Sequence, residues 1–186
     1  IAAARSKRRS ETKDQVVNYL ERFATWLREL GVQAEGLAAL IDDESLPEPT
    51  RKALIGALNY LFKSLDLIPD GIDDLGYLDD AFVLRVSAEL AIQEDLVDVD
   101  PAKLAGLQQL AAEAEVVRAF LDKDFGRLLE YVKGLRKGAA RRRSGADILR
   151  DRGVRASFVQ DVRNFCRTYE APRFAQEEKS LIKLRA

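Results

Sequence analysis

The stretch that decides the fold is residues 54–93, LIGALNYLFKSLDLIPDGIDDLGYLDDAFVLRVSAELAIQ. Leu54, Leu58, Leu61 and Phe62 recur at the three- and four-residue spacing of one helical face. Pro69 then stops any helix, because it lacks a backbone donor and restricts Ile68 before it. Asp70-Gly71 and Leu75-Gly76 turn the chain, and Phe82, Val83, Val86, Leu90 and Ala91 resume helical spacing. The pattern predicts two helices, about 51–63 and 77–93, joined by a turn.

Working outward, the same period continues on both sides. Val16, Val17, Leu20, Phe23, Ala24, Leu27 and Leu30 mark a helix from Asp14 that is expected to end at Gly31, with Trp26 just off the stripe. A short helix is expected around Glu35–Ile41, and Thr50 is read as a cap after the Leu46-Pro47-Glu48-Pro49 loop. Asp100-Pro101 reads as a cap followed by a first helical residue. From there Leu104, Leu107, Leu110, Val117, Phe120, Phe125, Leu128 and Val132 carry one helix over 101–136, or two broken near Glu113–Glu115. Further helices are expected near Asp147–Arg152 and Arg155–Tyr169, and a short one after Pro172 with Leu181, Ile182 and Leu184.

The predicted architecture is an all-α, compact multi-helix bundle with a helix–turn–helix hairpin at its nucleus. Its parts are a basic tail over 1–13, a helical domain over 14–136, and a basic helical extension over 137–186 packed on that domain. Composition agrees: 47% of residues are hydrophobic and 33% charged, with strong helix formers dominating the periodic stretches.

Several chemistries fall away. The chain has no histidine, so imidazole bases, His-assisted nucleophiles and His zinc ligands are excluded. Any metal would be a hard cation held by oxygen. The single Cys166 sits on the apolar stripe of its helix and reads as a small buried hydrophobe. One cysteine, no apolar run near the ~20 residues a membrane span needs, and Arg5, Lys7, Arg8 and Arg9 directly after Ala2–Ala4 give a cytoplasmic reading without a transmembrane segment.

The segment Asp66-Leu67-Ile68-Pro69-Asp70, followed by Gly76-Tyr77-Leu78-Asp79-Asp80, resembles the YkvA-like family, a small bacterial domain whose function is not established. The resemblance covers residues 54–93. It departs from the family after Pro69-Asp70, where Gly71-Ile72-Asp73-Asp74 replaces larger apolar residues and a second proline.

Two readings of its carboxylates stand side by side. Asp66, Asp70, Asp79 and Asp80 could converge on Mg²⁺, Mn²⁺ or Ca²⁺, with hydrolytic chemistry as an extension. The simpler reading makes Asp66 and Asp70 turn caps, and places Asp79 and Asp80 in a helix's first turn where the macrodipole favours them. Tyr60 and Tyr77 are each expected to offer a hydroxyl to one of these aspartates.

Charge is segregated. Residues 35–130 hold 21 acidic and 8 basic side chains, whereas 131–175 hold 12 basic and 4 acidic. The two regions either dock on one another or face separate partners. Lys137, Arg141, Arg142 and Arg143 are the candidate phosphate-gripping residues, against the plainer reading of a solvated or internally paired segment. The sequence favours a non-enzymatic interaction or scaffold module with a protein partner or a second copy of itself, no catalytic residue, and no cofactor beyond that divalent cation.

Overall fold

The structure, a computed structural model, describes residues 2–63, 77–97, 99–140 and 143–172, with side chains from Asn18 onward except at 139–140. It is an all-α bundle. The elements are α1 (Ala2–Ala39), α2 (Glu48–Tyr60), α3 (Leu78–Ala91), α4 (Pro101–Leu121), a 3-10 turn (Asp122–Asp124), α5 (Phe125–Leu135), a pair of two-residue strands (Ala139–Ala140 and Arg143–Ser144), α6 (Gly145–Arg150) and α7 (Arg152–Thr168). The strands pair antiparallel, Ala139 opposite Ser144. Among the described residues no helix is long and apolar enough to cross a membrane.

The expected hairpin is the nucleus. Every residue of α3 except Glu89 is buried, the mark of a helix enclosed on all sides. It is packed chiefly between α2 and α4, with α1 and α5 closing the remaining flanks. Phe23 of α1 stands edge-on to Phe82 of α3 and Phe120 of α4, at 5.2 and 4.9 Å between centroids. Full burial of one such side chain stabilises by roughly 1.5–3 kcal/mol.

Four local expectations are corrected. Helix α1 does not run from Asp14 to Gly31 but from Ala2 to Ala39, taking in residues expected as a tail and absorbing the separate helix expected at 35–41. Gly31 instead marks a close approach: a Cβ there would lie 3.5 Å from the Tyr169 ring and 3.6 Å from the Cys166 carbonyl at the end of α7. Tyr169 donates its hydroxyl to the Leu27 carbonyl at 2.7 Å, fixing that crossing.

Thr50 is not a cap. Helix α2 begins two residues earlier, with Pro47 at the cap position, and the buried Thr50 hydroxyl donates to the Ala91 carbonyl at 3.1 Å. The helix expected at 101–136 breaks at Asp122 (φ 48°) rather than near Glu113–Glu115. Glu113 stays within α4, its carboxylate accepting from Arg85, while Asp is among the few residues that tolerate positive φ. Helices α6 and α7 start earlier than expected, each behind a side-chain cap. Ser144 and Asp147 form a capping box, and Asp151 accepts from the Gly153 and Val154 amides at 2.7 and 3.0 Å. The short helix expected after Pro172 lies outside the described residues.

Candidate functional site: the α2–α3 hairpin and the α1–α4 groove

Asp79 and Asp80 occupy the first turn of α3, 2% and 4% exposed. Asp79 Oδ2 accepts the Tyr60 hydroxyl at 2.5 Å, so the pairing expected for Tyr60 is present. Tyr131 of α5 stands edge-on to the Tyr60 ring at 5.9 Å. The Lys63 ammonium donates to the Tyr131 hydroxyl at 3.5 Å, and partial burial lowers the Lys63 pKa. This arrangement locks the end of α2 to the start of α3.

Tyr77 takes the cap position of α3 at φ 69°, a left-handed conformation that costs a non-glycine residue roughly 1–2 kcal/mol. Its ring packs edge-on against Phe165 and Tyr169 of the α7 end, at 5.9 and 5.2 Å. Burial, then the neighbouring Tyr77 and Asp80, push the Tyr169 hydroxyl pKa above its ordinary value. Beside these rings lies an open cavity of about 410 Å³, with Phe62, Tyr77 and Phe165 as apolar walls and Asp161, Asn164 and Thr168 at its rim.

Asp66 and Asp70, the other two candidate cation ligands, lie outside the described residues. Among the described residues no three acidic or thiol side chains are placed to hold one ion. Of the candidate phosphate-binding residues, Lys137 is exposed, and Arg141 and Arg142 lie outside the described residues. Arg143 donates to Asp161 at 2.5 Å and to Ser157 at 3.3 Å. Arg155, on the same basic stretch, is buried and donates to Asp42 at 2.7 Å. Two of the basic residues thus turn inward to acidic partners of the same chain.

The sequence reading missed Arg85. Its guanidinium is 0% exposed and stacks 3.7 Å from the Trp26 ring centroid. Nε donates to Glu113 at 2.8 Å, Nη1 to the Ala81 carbonyl at 3.0 Å, and Nη2 to Gln33 at 3.3 Å. Burial pulls its pKa down to about 10, against the raising effect of Glu113. A lone Arg within Phe82–Leu90 and a lone inward Glu in the alanine-rich 104–114 run were the available signal.

A second feature of the surface lies between α1 and α4. A groove of about 320 Å³ is lined by Val32, Gly36 and Leu37 on one wall and by Gly106, Leu107 and Leu110 on the other. Val32 is 77% exposed, and a Cβ at Gly36 or Gly106 would meet nothing within 4 Å. Lys103, the one charged lining residue, is held by Asp43 at 2.6 Å.

No curated protein and no solved structure matches the chain. A family model described as a protein of unknown function (DUF1232) matches residues 50–85. The similarity therefore covers α2 from Thr50 onward and the first half of α3, with Tyr60, Asp79 and Arg85 inside it.

Proposed function

We propose that this chain is a non-enzymatic helical interaction module, a YkvA-like hairpin buttressed by long flanking helices, which associates with a second copy of itself through the α1–α4 groove. The observation that carries the reading is the pairing of a knob with a gap on one face. Val32 projects into solvent beside the unfilled positions at Gly36 and Gly106. A two-fold dimer presents the same patch to itself, so it needs both shapes on one surface. Such an interface also brings each charge near its twin. Here the lining contributes only Lys103, already neutralised by Asp43.

The chemistry of the hairpin supports the same reading. Tyr60 is bonded to Asp79 and Arg85 to Glu113. These groups join helices to one another, which is what a rigid scaffold requires.

Sedimentation velocity of the full chain over a concentration series tests the proposal, with Val32→Arg as the variant. The expected result is a monomer–dimer shift in the wild type that Val32→Arg abolishes without lowering the melting temperature. A wild type that stays monomeric, or a variant that dimerises equally well, sinks it.

A further inference from the structure

A second surface lies on α7. The solvent side of this helix carries Arg152, Arg163 and Arg167, all exposed. At 3.6 residues per turn they fall within about 60° of the helix circumference and span about 22 Å of its length. None of the three forms an ion pair among the described residues. The reason is visible in the acidic residues of the same region: Asp151 is used by the cap of α7, and Asp161 is held by Arg143. Asp161, the one carboxylate within α7, is paired with Arg143, so the helix face that holds the three arginines carries a single sign of charge.

The residues between these arginines decide the partner. Ala156, Ser157, Gln160 and Asn164 are small or hydrogen-bonding and are exposed. Nothing in that face would insert into a bilayer, which an interfacial helix needs. Nor does it offer the buried aromatic or aliphatic anchor that centres a protein interface. Guanidiniums spaced along a polar helix suit regularly spaced phosphates, which they can grip in bidentate fashion.

We propose that the α7 stripe of Arg152, Arg163 and Arg167 is a docking surface for the phosphate backbone of double-stranded nucleic acid, bound without regard to sequence. This differs from a site centred on residues 137–143, where Arg143 is committed to Asp161.

The test is fluorescence anisotropy of a labelled DNA duplex of about twenty base pairs, titrated with the full chain between about 50 and 200 mM salt. The stripe variant is Arg152→Gln/Arg163→Gln/Arg167→Gln, and the comparison variant is Lys137→Gln/Arg141→Gln/Arg142→Gln. The expected result is wild-type binding that weakens with salt, and a stripe variant whose slope of log K against log salt is shallower by about 2.7, the value for three lost phosphate contacts. Its melting temperature should match the wild type, since the three side chains are exposed. The proposal fails if the wild type does not bind at the lowest salt, or if the loss appears only in the comparison variant. It fails equally if vesicles rich in phosphatidylserine are bound more tightly than the duplex with the same arginine dependence.

Discussion

The Tyr60 hydroxyl on α2 donates to the Asp79 carboxylate on α3 at 2.5 Å, with both residues almost wholly buried. The two lie nineteen residues apart, on either side of the aspartate-rich segment. The bond therefore fixes the geometry of the hairpin from inside the core. A buried hydrogen bond to a charged group contributes about 1.5–3 kcal/mol. Tyr60→Phe keeps the ring against Tyr131 and removes only the donor. Urea unfolding should show a stability lower by that amount, seen as a lower midpoint with an unchanged m-value. An unmoved midpoint would mean that ring packing alone holds the hairpin.

Arg85 and Glu113 give a second energetic test. Glu113→Gln leaves the fully buried guanidinium beside Trp26 without its counter-charge. Breaking a buried pair costs about 3–5 kcal/mol, and the partial exposure of Glu113 brings the expectation nearer 2 kcal/mol. The double replacement Arg85→Met/Glu113→Leu should recover most of that loss, because an apolar pair carries no desolvation penalty. A double-mutant cycle with the single changes Arg85→Met and Glu113→Leu measures it, and simple additivity of these two would contradict the coupling.

Much of this architecture was legible because periodicity reports burial directly. Leu20, Phe23, Leu27 and Leu30 are core residues of α1, as their spacing required, and Asp100 caps α4 by accepting from the Ala102 amide at 2.9 Å. What escaped were residues whose role depends on a partner distant in sequence. Gly31 has the local character of a helix stop, yet it is set by Tyr169, which approaches from the far end of the chain. Thr50 has the character of a cap, yet its hydroxyl is taken by Ala91. In the candidate site, the Tyr60 bond was readable from the closeness of both residues to one turn. Arg85 was not, because its partners come from α1 and α4.

Glycines divide by what surrounds them. A Cβ on Gly56 would stand 3.0 Å from the carbonyl carbon and oxygen of Leu135, backbone atoms that cannot swing aside. Gly56→Ala should cost about 1–3 kcal/mol, as overpacking does in a filled core. Gly106 sits in helix α4 with open space beside it, so Gly106→Ala should stabilise the monomer by about 0.5–1 kcal/mol. Dilute thermal melts compare the two. Equal effects of the same sign would refute the close approach of α2 to α5.

Acid stability should carry the signature of Asp43. Hydrogen bonds from Lys103, first, and then Ser45 hold its pKa at about 2, below the ordinary 3.8. A carboxylate depressed in the folded state stabilises fully above its unfolded pKa and loses that contribution as pH falls through the folded value. Wild-type stability should thus decline between about pH 4 and 2 by an increment that Asp43→Asn lacks. Denaturant midpoints at several pH values check this. Parallel profiles for the two proteins would show that the pair has no net effect.

The aspartates around the turn separate by their response to cations. If Asp79 serves the hairpin through Tyr60, Asp79→Asn should melt lower than the wild type whether or not a metal is present. Millimolar Mg²⁺, Mn²⁺ or Ca²⁺ added to chelator-treated protein should then leave the wild-type midpoint in place. A cation site built from Asp66, Asp70, Asp79 and Asp80 predicts the reverse. At a hundred times its dissociation constant, the bound ion would stabilise the fold by about 2.7 kcal/mol. Asp70→Asn would abolish that gain. Asp70 is the discriminating position, because the Tyr60–Asp79 bond does not involve it and only a cation site makes the metal-induced gain depend on it.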